Sequence, residues 1–118
     1  MTTASELTQK HCVPCEGGIR PLPPDQIEQL LPSVPDWKIP PGGKHLRRQW
    51  KVTDFTTALD FFQRIGAIAE AENHHPDLHL EGYRSVTVEI STHAVGGLTE
   101  NDFILAAKID LLPVKVKK

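Results

Sequence analysis

The chain has 118 residues, a net charge of -2, and hydrophobic and charged fractions of 39% and 24%. That length admits one domain with a single core, and the balance is that of an ordinary globular protein. The near-neutral charge leaves no footprint for direct nucleic-acid binding, and no apolar run is long enough to span a bilayer.

Residues 1–23 read as a loosely ordered leader. It holds Cys12-Val-Pro-Cys15 and then Glu16-Gly-Gly, Pro21 and Pro23, with Pro24 next, a density of breakers that opposes regular structure. A tetrahedral zinc site needs four ligands; His11 offers a third, but there is no second Cys pair. The thioredoxin-like reading lacks its flanking strand and helix, so Cys12 and Cys15 are given no chemical role. Met1–Glu6 lacks the basic-then-apolar pattern of a secretory signal. Together with the two cysteines this sets the expectation of a reducing, cytoplasmic location, with a mature organellar form left open.

Residues 24–113 form the expected single domain. Pro24 to Leu31 predicts a short helix, with Ile27, Leu30 and Leu31 on one face. Trp37-Lys-Ile39 predicts a short strand, and Pro40-Pro-Gly-Gly43 a turn. Leu46 to Val52 alternates as a half-buried strand. The strongest helix runs from Asp54 to about Asn73, with Phe55, Ala58, Leu59, Phe62, Ile65 and Ala69 on its stripe and Phe61 and Ile68 widening it. Pro76 ends it by disfavouring helical geometry at His75, which leaves His74 and His75 at a helix C-terminus whose dipole favours imidazolium. Leu78-His-Leu80 starts a strand, and Glu81 to Arg84 turns into Ser85–Thr92. There Val86, Val88 and Ile90 share one face, and His93 emerges at the end of the other. Gly96-Gly97 turns the chain, and Thr99-Glu-Asn-Asp102 opens the last helix with capping-box spacing. The fold expected is α+β: a four-stranded antiparallel sheet with helices packed on one face, in the order α-β-β-α-β-β-α. Residues 114–118 are a basic tail expected to be solvated.

Four of six histidines (His74, His75, His79 and His93) fall in the stretch from Glu70 to Asp102, among Glu70, Glu72 and Asp77. His11, His45 and His79 read as ordinary surface histidines. His74, His75 and His93 lie at breaks between elements, where functional groups concentrate. Glu70, His74 and His93 form a conceivable metal set, but without the spacing of the helical H-E-x-x-H motif, so no metal is assigned. No G-x-S-x-G or glycine-rich phosphate loop is present. Acid–base catalysis by histidines without a cofactor remains, which suits elimination, isomerisation or hydration.

Glu70-x-x-x-His74-His75-Pro76, Ser91-Thr92-His93 and Gly97-Leu98-Thr99-Glu100-x-Asp102 together resemble the pterin-4a-carbinolamine dehydratases. Leu30-Leu-Pro32, Trp37 and Asp54-Phe55 extend the resemblance over residues 24–112. It implies dehydration of a 4a-hydroxytetrahydropterin, in tetrahydropterin recycling after an aromatic-amino-acid hydroxylase, by a homodimer or homotetramer. It implies His74 and His93 as the acid–base pair and His75 as a substrate-orienting residue. Glu70 and Asp102 would orient the histidines, and Pro76, Thr92 and Ala94 would line the pterin. The alternative it carries is a protein-binding module, either a transcription-factor dimerisation cofactor or a carboxylase assembly chaperone. The intact histidine set favours the enzyme. The chain departs from animal members at Leu78-His79, where they carry an aromatic pair, at Ala94, where they carry an acid, and in a slightly longer hairpin.

Overall fold

The computed structural model describes residues 3–13 and 20–117. Cys15 and the rest of 14–19 lie outside the described residues, as does Lys118.

Among the described residues four helices and three strands follow one another: α1 (Ala4–Gln9), α2 (Pro24–Leu30), β1 (Leu46–Lys51), α3 (Phe55–Glu72), β2 (Asp77–Glu81), β3 (Ser85–Ile90) and α4 (Glu100–Asp110). The sheet is antiparallel in the order β1-β3-β2, with Trp50 opposite Val86 on one side of β3 and Leu80 opposite it on the other. Val86, Val88 and Ile90 are buried while Ser85, Thr87 and Glu89 are partly exposed, so one face of the sheet is covered. α4 lies against β3, with α3 and α1 packed against α4. That central place explains why Asn101 to Ala107 are buried all round the helix.

The α+β class and the antiparallel pairing stand, but the sheet has three strands, not four, and the order is α-α-β-α-β-β-α. Trp37–Ile39 contributes an isolated bridge in which Lys38 and Arg47 exchange N–H···O bonds of 2.8 Å. Pro40 and Pro41 follow at once; with no N–H to donate they cannot extend the ladder. Trp37 is nevertheless core, edge-on to Trp50 at 5.8 Å, and Trp50 is edge-on to Phe61 at 5.1 Å.

The described part of the leader is ordered where looseness was expected. Thr3 caps α1 by accepting from the Glu6 N–H, and Leu7 is completely buried. One apolar side chain with a packing site on α4 is enough to anchor a helix too short to persist alone. The tail also pairs: Lys117 N–H donates to Lys51 O at 2.7 Å, and Val116 bridges Val52.

Along α3 the buried line is Ala58, Phe61, Ile65, Ala69 and Glu72. Phe55 and Leu59, expected on the stripe, are 49% and 45% exposed. The apolar surface of α3 is wider than its contact with α4, so Phe61 takes the core position and Phe55 and Leu59 face outward.

Candidate active site

The end of α3 places His74. Asn73 adopts the left-handed conformation (φ 52°), its N–H donates to Glu70 O at 3.2 Å, and His74 N–H donates to Ala69 O at 3.1 Å. This is a Schellman closure, which turns the chain sharply and fixes the residue just beyond the helix. Pro76 then releases the chain into β2.

A second break supplies the facing loop. After β3, Thr92 pairs with Gly97 through Thr92 N–H to Gly97 O at 2.9 Å, closing a short 3-10 turn over His93–Val95. Gly96 takes φ 65°, and a Cβ on Gly97 would lie 3.2 Å from the Pro21 Cβ. Both glycines of the sequence turn are therefore used, one for backbone angle and one for space.

Asp102 joins the two breaks. It is completely buried and accepts three hydrogen bonds: His74 Nε2 to Oδ1 at 2.7 Å, and Thr92 Oγ1 and Thr99 N–H to Oδ2, each at 2.8 Å. The Thr99 contact is the reciprocal half of the capping box foreseen at the start of α4. Since Thr92 gives its only hydroxyl hydrogen to Asp102, the 2.8 Å contact with Thr99 Oγ1 is donated by Thr99. A carboxylate that only accepts also fixes the His74 tautomer: Nε2 carries the hydrogen, and Nδ1 is the nitrogen available for proton transfer.

The cleft in front of this network has a volume of about 370 Å³ and is lined by His74, His75, Thr92 and His93, together with Cys12 and Val13. Of the residues expected at the site, Ala94 also lines it. Asp102 sits behind it, holding His74. Glu70 stands 3.5 Å from His75 Nε2 rather than beside His74, and both of those side chains are solvent-facing. Pro76 is not among the lining residues. His74 is 11% exposed, whereas His93 is open to solvent. A larger hollow of about 640 Å³ beside Asp54, Asp60 and Arg64 contains no histidine and is bordered by solvent-facing charges. His79 and His45 lie on the exposed sheet face, each 3.0 Å from Glu89.

Sequence reasoning gave no role to Glu72, Lys108 or Asn101. Glu72 is buried at the last position of α3 and accepts from Lys108 Nζ at 2.7 Å, Cys12 N–H at 2.7 Å and His11 Nδ1 at 3.0 Å. Burial pushes its carboxyl up, but the bonds from Lys108, Cys12 and His11 outweigh it and hold the group at about 2. A carboxylate at a helix C-terminus opposes the dipole. That misfit was the one available sign that Glu72 answers to something outside its helix. Cys12 is pushed up to about 12 by burial, and next by the Glu72 charge, so it is a protonated thiol at neutral pH.

In this small α+β fold, histidines from two breaks line one cleft, and one of them, His74, is held by a buried carboxylate. Residues 20–112 match the family model for pterin 4 alpha carbinolamine dehydratase. The chain is 50% identical over 114 residues to pterin-4-alpha-carbinolamine dehydratase 2, mitochondrial, of Arabidopsis thaliana, covering 94% of this chain and 61% of that protein. It is 49% identical over 106 residues to a putative pterin-4-alpha-carbinolamine dehydratase of Halorhodospira halophila, covering 90% of this chain and 96% of the relative. A crystal structure of a transcriptional coactivator/pterin dehydratase from Brucella melitensis superposes with a TM-score of 0.72 at 30% identity, over 77% of this chain and 96% of that one. The chain belongs to the pterin 4 alpha carbinolamine dehydratase family, a family of lyases.

Proposed function

We propose that this chain dehydrates 4a-hydroxytetrahydropterin to the quinonoid dihydropterin by histidine acid–base catalysis. The observation that carries the reading is the meeting of His74, His75 and His93 around one cleft, with His74 fixed by buried Asp102 at 2.7 Å. In the reaction the C4a–O bond breaks and the oxygen takes a proton to leave as water. The N5 proton is removed and a C4a=N5 double bond forms, so no oxidant or reductant is needed. His74, as an imidazolium that keeps its Nε2 hydrogen on Asp102, donates the Nδ1 proton to the leaving oxygen; His93, neutral and open to the cleft, takes the N5 proton; His75 orients the substrate. Glu70 steadies His75, and Thr92 and Ala94 line the ring. The expected setting is tetrahydropterin recycling beside an aromatic-amino-acid hydroxylase, by a homodimer or homotetramer in the cytoplasm or an organelle.

A second reading is a protein-binding module. The Brucella relative is described as a coactivator as well as a dehydratase, and Phe55 and Leu59 expose an apolar face on α3. The test is the rate of 4a-hydroxytetrahydropterin dehydration, with chelator present. A rate well above the spontaneous one supports the enzyme. A rate equal to it leaves the binding module, to be pursued through Phe55 and Leu59.

A further inference from the structure

We infer that the leader segment 11–13 is a wall of the substrate cleft, held there by Glu72 and Asn101, and that Val13 helps set substrate affinity; this rests on the dehydratase reading. The matched family segment begins at residue 20, so these positions lie outside it. The segment is gripped by its backbone. Cys12 N–H donates to Glu72 Oε1 at 2.7 Å. Val13 N–H donates to Asn101 Oδ1 at 3.0 Å, and Asn101 Nδ2 donates back to Val13 O at 2.7 Å. A side-chain amide that pairs with both backbone groups of one residue acts as a short stretch of strand partner.

Both clamps belong to the helices that build the site. Glu72 is two residues before His74, and Asn101 is next to Asp102. Lys108 neutralises Glu72 from two turns further along α4, and Lys10 pairs with Glu100 at 3.0 Å. The leader is thus indexed to the same two elements that position the histidines. A clamp that reads backbone constrains no side chain at 13, and the one present is an apolar Val, 61% exposed, lining the cleft with His74 and His93. The other lining side chains named are mostly polar, so Val13 is placed to meet an apolar part of the substrate away from the reacting carbon. Contacts made equally in ground and transition states change KM rather than kcat.

The test is steady-state dehydration of 6-methyl-4a-hydroxytetrahydropterin by the full-length chain as wild type, Val13→Trp and Glu72→Gln. Hydrogen exchange is followed at the amides of Cys12 and Val13. Val13→Trp, an exposed substitution that leaves the fold intact, is expected to raise KM about tenfold with kcat within about threefold, on the usual effect of overfilling a pocket. Glu72→Gln is expected to speed exchange at both amides and to raise KM in the same direction. An unchanged KM in Val13→Trp, or faster exchange in Glu72→Gln without a rise in KM, overturns the inference while leaving the dehydratase reading in place. A wild type no faster than the spontaneous reaction overturns both.

Discussion

Replacing Asp102 with asparagine removes one charge and almost no volume. The wild-type carboxylate accepts from His74 Nε2, Thr92 Oγ1 and Thr99 N–H. Asparagine has one acceptor oxygen and one donor nitrogen. If the oxygen keeps Thr92 and Thr99, the amide NH2 faces His74, whose Nε2 must then accept and whose hydrogen must move to Nδ1. Three charge-assisted bonds become neutral ones, each worth about 1 kcal/mol less, and relief of burying a carboxylate offsets part of that; a net loss of about 2 kcal/mol is expected. For a domain of this size that lowers Tm by about 8 °C. With Nε2 accepting from the amide, His74 holds a single hydrogen, on Nδ1, and can no longer act there as an imidazolium acid; loss of one positioned acid–base group lowers the rate about 100- to 10,000-fold. The assay is kcat/KM for dehydration well below Tm, with circular dichroism confirming the fold. Activity within about threefold of wild type in a folded Asp102→Asn chain would refute the claim that Asp102 sets the chemistry of His74.

Three further outcomes follow from the packing and the charges. Phe61→Ala removes a ring that is 2% exposed and edge-on to Trp50, and should cost about 3–5 kcal/mol by denaturant unfolding; less than 1 kcal/mol would mean that the α3 register is wrong. Glu72, depressed from 4.5 to about 2, stabilises the fold above pH 4.5 and ceases to as the pH falls towards 2. The wild-type Tm should therefore drop across that window more steeply than that of Glu72→Gln, and parallel curves would contradict the clamp. With Cys12 raised from 9.0 to about 12, its native thiolate fraction at pH 7.5 is about a thousandfold below that of an ordinary thiol. In a Cys15→Ser chain, iodoacetamide should therefore label Cys12 far more slowly when folded than in urea; equal rates would rule out the buried placement.

The parts of the molecule legible in the sequence are those set by local rules. Alternation in Ser85–Ile90, the stop at Pro76 and the Thr99/Asp102 cap each depend on neighbours a few residues away. The histidine cluster was legible for the same reason, since it sits at element ends that proline and glycine mark. What escaped depends on partners far along the chain. Trp37–Ile39 looks like a strand, but flanking prolines leave it one bridge. Phe55 and Leu59 fit the helical stripe, yet which part of a broad apolar face is buried is decided by where α4 lies. The leader, read as loose from its prolines and glycines, is ordered over Ala4–Gln9 by Leu7, and Cys12 and Val13 are held by Glu72 and Asn101. A glutamate closing α3 was the only local sign of that arrangement.

The most direct test of the central claim is the dehydration rate of 4a-hydroxytetrahydropterin by wild type, His74→Ala and His93→Ala under identical conditions. A wild type well above the spontaneous rate is expected, with a loss of at least about 100-fold in each variant and the fold retained in exposed His93→Ala. Folded histidine variants that work within a few-fold of wild type would place the chemistry elsewhere and rule out His74 and His93 as the acid–base pair.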